Sequence, residues 1–459
     1  MAAKQSRKDL LTNELINYNP LKYKINIPIK NYSVRFEDIV PAISGTIGKI
    51  ALVAAFAIAW EKGLGISDAT FVTENVRLEV VIGSIITLIF SSILNPYTAP
   101  PGTLAPLIPL IPIMAVSGVH PLILGILVGI LGIIISSFKL FEKIIEINGS
   151  AARGSIILLF GIMGIISSID SLKKWTALKS SSLFAVLIIL GIVIYLVLNK
   201  YECKWLMIPS AAFIGIVISA FYNLYPEIKT LPALPIFNPK IWWFNKWGLG
   251  WGVNLKNIVK ALPFALLSVV MWPSDALAIK TLQETSYGEK AKKSIFHLNS
   301  TFIVVSIRNI VGSFFGGAQT AAVWRSFMIP LSIVKRPIAG SALILGILGI
   351  VSALLGFPLD IAVFPPLIWM VLIFGVYIPL IEIGLNTLKS YEDMQIAALS
   401  ILAGFAVNPV IAWITAILIE NLGIIKEKSK REASSAYKVR ITLIVSAITM
   451  ATYFVSTIL

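Results

Sequence analysis

Charge is what this 459-residue chain has least of. Asp, Glu, Lys and Arg together make up 13% of it, against 57% hydrophobic residues, and the mean hydropathy is +0.87. A soluble domain of this length needs far more polar surface, which excludes an ordinary globular enzyme. There is one cysteine, Cys203, so an internal disulfide is excluded. The two histidines, His120 and His297, lie far apart with no second ligand at helical spacing, and no resident metal or cofactor is expected. The phosphate-loop pattern Gly-x-x-x-x-Gly-Lys-Ser/Thr is missing. The nearest stretch, "GTIGK" at 45–49, has the wrong spacing, so ATP is not the expected energy source. The apolar runs hold no nucleophile–base pair either, which argues against an enzyme.

What is present is apolar sequence in lengths that cross a bilayer. Spans are expected near 38–60, 78–94, 102–117, 120–138, 150–170, 182–199, 205–224, 258–279, 296–315, 318–334, 338–356, 361–384, 394–407, 408–424 and 440–459. Basic residues outnumber acidic ones, 38 to 23, for a net charge of +15. In a membrane protein this excess belongs in loops that stay inside, rather than to a nucleic-acid partner. The arm 1–37, with Lys4, Arg7, Lys8, Lys22, Lys24, Lys30 and Arg35, is too polar for a signal peptide and is expected in the cytoplasm. The loop "KEKSKREASSAYKVR" at 426–440 is the other basic cluster. A multi-pass cell-membrane protein with a cytoplasmic N-terminus is the expected topology.

An internal repeat organises the spans. "LILGIL" occurs at 122–127 and again at 343–348, an offset of 221 residues, and the same offset sets Pro109 on Pro330 and Thr98 on Gln319. "NPYTAPPGTLAPLIPLIPIM" thus lies opposite "GGAQTAAVWRSFMIPLSIVK". The copies hold about seven spans each, and an odd repeat inverts its second copy, as in secondary transporters. The expected division is a cytoplasmic arm 1–37, a first repeat 38–226, an interfacial aromatic loop 227–257 and a second repeat 258–424. A basic cytoplasmic loop 425–439 and an additional helix 440–459 follow.

Both matched stretches contain helix breakers, Asn95 to Gly102 in one and Gly316-Gly317 in the other. Non-helical backbone at membrane depth survives only when it lines a cavity or is buried in protein. With a helix following each break, two helix N-termini should face each other near the midplane, suited to an anion or to acceptor oxygens of a polar solute. The candidate substrate-binding residues are Thr98, Ala99, Gly102 and Thr103 in the first break, and Gly317, Ala318, Gln319 and Thr320 in the second. Ser44, with Thr46, belongs to the inner face of the first span. Arg325, placed about two turns into the second half-helix, points back toward Ala318 and completes the set. Its plainer reading is a structural arginine paired with a carboxylate, Asp275 being the partner at hand. Asp275, within "ALPFALLSVVMWPSDALAIKTL", is the candidate ion-coupling residue, as a proton acceptor or a sodium ligand. Glu382 reads as a span-end residue, "IWWFNKWGLGWG" at 241–252 as an interfacial aromatic loop, and "FKLFEKIIEI" at 138–147 as an amphipathic helix. Gly125, Gly129 and Gly132 are spaced for close helix packing.

The motifs "NPYTAPPGTLAPL", "MWPSDALAIK" and "FGGAQTAAVWRSF" resemble the third, eighth and tenth helices of the sulfate permease (SulP) family and of the uracil/xanthine nucleobase–cation symporters. The resemblance spans roughly residues 37–424. It implies an all-α polytopic fold of two intertwined seven-helix inverted repeats. Its two midplane half-helices are each preceded by a short extended strand, with substrate between them and an acidic coupling residue on the eighth helix. Homodimers are common in these families. Where the nucleobase branch carries a glutamate, this chain has Gln319, with an arginine following, which favours an anion. A secondary transporter of a sulfate-like oxyanion or bicarbonate, driven by H⁺ or Na⁺ and bedded in membrane lipid, is therefore expected. A nucleobase symporter and a passive anion channel are the rivals.

Overall fold

Helices start and stop where the breakers dictate. The computed structural model describes residues 7–425 and 436–458. A short helix α1 (Arg7–Asn17) precedes seven helical segments: α2 (Ile39–Leu64), α3 (Phe71–Ile86), α4 (Ile111–Val116), α5 (Pro121–Ser137), α7 (Ser150–Ala177), α8 (Ser181–Lys200) and α9 (Met207–Phe221). α6 (Phe141–Ile147) joins α5 to α7. α3 runs on as a π-helical turn, Thr87–Leu94, and a 3₁₀ segment, Ala105–Leu110, leads into α4. The second set is α10 (Leu255–Tyr287), α11 (Leu298–Phe314), α12 (Arg325–Ile333), α13 (Ile338–Leu355), a broken span, α17 (Tyr391–Ala406) and α18 (Pro409–Leu422). α14 (Phe357–Ala362) leads into the broken span, in which α15 (Pro365–Met370) continues through π-turns Val371–Tyr377 into α16 (Ile378–Thr387). α19 (Ala436–Ile458) follows the two sets, and 426–435, most of the basic loop read from the sequence, lie outside the described residues. Among the described residues, ten helices are long and apolar enough to cross a membrane.

The helices sort into two bundles by packing. α5 lies against α10 and α11, and α13 against α2 and α3, with α12 on α2. In the second bundle α7 packs on α16, α17 and α18, and α9 on α8 and α15. The bundles meet where α7 touches the 3₁₀ segment before α4, α9 touches α2, and α18 touches α10. α19 rests on α10 and α18. Small residues allow the closest approaches: a Cβ on Gly129 would meet Ser306 and Ile310 of α11, and one on Gly132 would meet Trp272 of α10.

The N-terminal arm packs on the helices. Leu15 of α1 packs on Tyr287, Ala291 and Ile295. Glu14 of the arm pairs with Arg336 at 2.7 Å, and the buried Asp38 just after the arm binds the same guanidinium at 3.0 and 3.1 Å, joining both to the α12–α13 connection. The aromatic loop is partly buried in the protein, with Phe244 and Trp251 exposed. Trp242, Trp243 and Trp247 are buried, because their indole N–H groups find carbonyls inside, Trp243 donating to Phe314 and Trp247 to Gly316 at 2.8 Å each.

Candidate functional site

The break after α3 and the break before α12 cross at the centre of the first bundle. After a turn at 95–98 in the first break and at Gly316 in the second, residues 99–104 and 317–324 run as non-helical chain, and a β-bridge joins Pro101 to Val323 in antiparallel sense. The backbone N–H groups of Gly102, Leu104 and Trp324 donate to Ala322, Thr320 and Pro100 at 2.6, 2.9 and 3.0 Å. The second break therefore does not open directly into a helix. Arg325 is the first residue of α12 rather than two turns within it, because strand pairing satisfies the backbone that a helix would otherwise have to satisfy.

Side chains of α3 and α11 hold the second strand almost residue by residue. Asn75 donates to the carbonyl of Gly316 at 2.9 Å and accepts from Ala318 N–H at 3.1 Å. Glu79 accepts from Gln319 N–H and Arg308 donates to the Gln319 carbonyl, both at 3.2 Å. Glu79 and Arg308 are fully buried and form an ion pair with each other. Asn309 donates to the Ala321 carbonyl at 3.2 Å and accepts from its N–H at 2.7 Å. The Gln319 side chain bridges the strands, donating to the Gly102 carbonyl at 3.1 Å and accepting from the Thr103 hydroxyl at 2.9 Å. A side chain at Gly102 would strike the backbone of Trp324, and Gly316 takes φ +98° beneath Trp242.

A cavity of about 240 Å³ lies beside this crossing, between the two bundles. Its inner wall carries Lys49 of α2, Thr103, Trp324 and Arg325, and its outer part Arg153, Lys204 and Glu382. Lys49 is 1% exposed; its ammonium sits 4.7 Å from the Trp324 ring centroid and 3.4 Å from the Pro101 carbonyl. Lys204 pairs with Glu382 at 2.9 Å, each side chain 40% exposed. By the alternation of the spans, the starts of α7 and α9 and the end of α16 share the membrane face of the N-terminal arm. The cavity opens on that face. The opposite side is covered by the tryptophan loop, which Lys246 ties to Asp68 at 2.6 Å.

Of the residues expected from the sequence, Thr103 and Arg325 line the cavity. Thr98 and Ala99 lie behind the strands. The Thr98 hydroxyl donates to the Asn95 carbonyl at 2.9 Å, and Ala99 N–H donates to Thr301 at 3.0 Å. Gly102, Gly317, Ala318, Gln319 and Thr320 form the crossing itself, and the backbone N–H groups of Gly102, Gly317, Ala318 and Gln319 are taken up within the protein. Ser44 is buried in α2 away from the cavity wall, and Thr46 donates to the Ala42 carbonyl. Asp275 lies within α10, but its side chain is outside the described residues. Sequence reasoning missed Lys49, Glu79 and Arg308. Glu79 falls at the first turn of the expected span 78–94 and Asn75 ahead of it, although the two stand one helical turn apart, and Arg308 is a charge inside an apolar run.

A family model described as Protein of unknown function (DUF3360) matches residues 2–458. No curated protein matches the sequence. Among solved structures, the chain is similar to the murine Solute Carrier 26 family member A9 (Slc26a9) anion transporter in the inward-facing state. The identity is 12% and the TM-score 0.53, over 86% of this chain and 70% of that one. A second SLC26A9 structure matches at 15% identity and TM-score 0.53, over 85% of this chain and 65% of that one. The transmembrane domain of a cyanobacterium bicarbonate transporter, BicA, matches at 14% identity and TM-score 0.52, over 84% of this chain and 98% of that domain. At these identities the likeness is one of fold: two seven-helix inverted repeats with crossed strands between half-helices, the arrangement that the resemblance implied.

Proposed function

This chain belongs to the DUF3360 family, and we propose that it is a secondary transporter of a small anion, an oxyanion or bicarbonate. The observation that carries the reading is the charge of the cavity. Lys49, Arg153, Lys204 and Arg325 line it, and Glu382, paired with Lys204, is the one carboxylate on its wall among the described residues. Cations held together in a low-dielectric wall attract an anion strongly. Two of the three solved structures described above are named as an anion transporter and a bicarbonate transporter, which supports the same class. Gln319 argues against the nucleobase reading, since both ends of its amide are already engaged by Gly102 and Thr103.

In this reading the anion enters from the face of the N-terminal arm, which we place in the cytoplasm. It sheds water against Thr103 and the Trp324 ring, and it is held by Lys49 and Arg325. Release to the other side requires the bundles to shift so that the tryptophan loop side opens. Asp275 is the coupling residue of this proposal, for H⁺ or Na⁺. Helical register sets position 275 between Met271 and Ala278, which line the cavity.

The test is uptake of radiolabelled sulfate and bicarbonate into proteoliposomes. Lys49→Gln and Arg325→Ala should each lower uptake at least about tenfold, one charged hydrogen bond being worth about 1.5–3 kcal/mol. Monodisperse, folded variants with unchanged uptake would overturn the proposal, and so would uptake competed by uracil but by neither anion.

A further inference from the structure

A second concave basic site lies outside the transport cavity. It is a pocket of about 490 Å³ where the end of α10, residues 292–300 and the N-terminal arm meet. Four lysines line it, Lys22 from the arm, Lys280 from α10, and Lys292 and Lys293 from the short segment before α11. Its carboxylate, Glu284, stands 3.8 Å from Lys280 and neutralises one charge at most. His297 and the first turn of α11 form the floor, and none of the described side chains caps that turn. The pocket therefore presents three unbalanced ammonium groups over uncapped backbone N–H groups. Lysines brought together this way repel one another unless an anion sits between them.

Depth decides what kind of anion. α10 has 33 residues, more than a bilayer core needs. Its last turns thus project beyond the core, and Lys280 lies near the level of the headgroups. The pocket is on the face that holds the arm, where cytoplasmic leaflets carry anionic lipid.

We propose that this pocket binds a phosphate group, and that the phosphate is the headgroup of an anionic phospholipid. Its occupation would bear on the transport site through one short chain of contacts. The Lys22 ammonium lies 5.2 Å from the Tyr97 ring centroid. His297 stacks on that ring at 4.9 Å and donates its backbone N–H to the Tyr97 carbonyl at 2.8 Å. Tyr97 lies in the turn at 95–98 that leads directly into the chain carrying Gly102 and Thr103. A bound headgroup would thus draw together the lysines on the two sides of the strand's entry.

Binding of short-chain phosphatidylglycerol to the full chain in neutral detergent tests this, with short-chain phosphatidylcholine and inorganic phosphate as the comparison ligands. The variant is Lys280→Gln/Lys292→Gln/Lys293→Gln, whose side chains are not part of the core. Phosphatidylglycerol should bind more tightly than phosphatidylcholine. The triple variant should lose about a hundredfold in affinity for it, at about fivefold per lysine. Inorganic phosphate binding as tightly as the lipid, and lost in the same variant, would keep the phosphate site and overturn the lipid as its source. Equal binding of phosphatidylglycerol by the variant and the unaltered chain would overturn the site.

Discussion

Lys49 shows how much a single side chain depends on its surroundings. It sits in a span dominated by small and apolar residues, 1% exposed, and among the described residues its ammonium meets an indole face and a carbonyl rather than a carboxylate. An ammonium at that depth is expensive, and expensive intramembrane charges mark function. Gly102 is the opposite case, a residue chosen for what it lacks. Its Cβ would fall on the Trp324 backbone, at the tightest point of the strand crossing. Gly102→Ala should destabilise the protein by about 1–3 kcal/mol, as overpacking does. A lowered melting temperature in detergent, with transport lost in proportion, is the outcome to look for.

Strands at the centre of a bundle must be held by their neighbouring helices, and here α3 and α11 do so with Asn75, Glu79, Arg308 and Asn309. Glu79 and Arg308 clamp the peptide of Gln319 from its two sides while pairing with each other. Removing one charge strands the other in the core, at about 3–5 kcal/mol. Glu79→Leu alone should therefore cost more than Glu79→Leu combined with Arg308→Met, and a double-mutant cycle on melting temperatures would show the coupling. If the single variant were no less stable than the double, the pair would not be what holds the strand. The π-helical turns fit the same picture. Thr87–Leu94 leads into the first strand, and Val371–Tyr377 brings Gly375 and Val376 to the cavity wall from the second bundle.

At the scale of the whole molecule, the cavity lies between the two bundles, a geometry suited to one bundle moving against the other. Whether that movement is coupled to an ion is the point on which Asp275 decides. Asp275→Asn should abolish uphill uptake driven by an imposed H⁺ or Na⁺ gradient while leaving anion exchange measurable. Unchanged gradient-driven uptake would remove Asp275 from the mechanism, and a flux indifferent to any gradient would mark a passive channel. The spans, their pairing at an offset of 221 residues, and the two breaks were all legible in the sequence, because each depends on local properties: apolar run length, proline and glycine. The same local reading set Arg325 too deep in its helix, because whether a segment is strand or helix after a break depends on what lies across from it. Thr103 and Arg325 reach the cavity while Thr98, Ala99 and Ser44 do not, and no spacing rule distinguishes them. The sequence by itself determined a membrane protein with an inverted repeat broken twice at its centre. The tertiary structure alone decided which polar groups satisfy the broken backbone and which, like Lys49, are left facing the cavity, since in a low-dielectric interior each polar group is assigned by the partners that the fold brings to it.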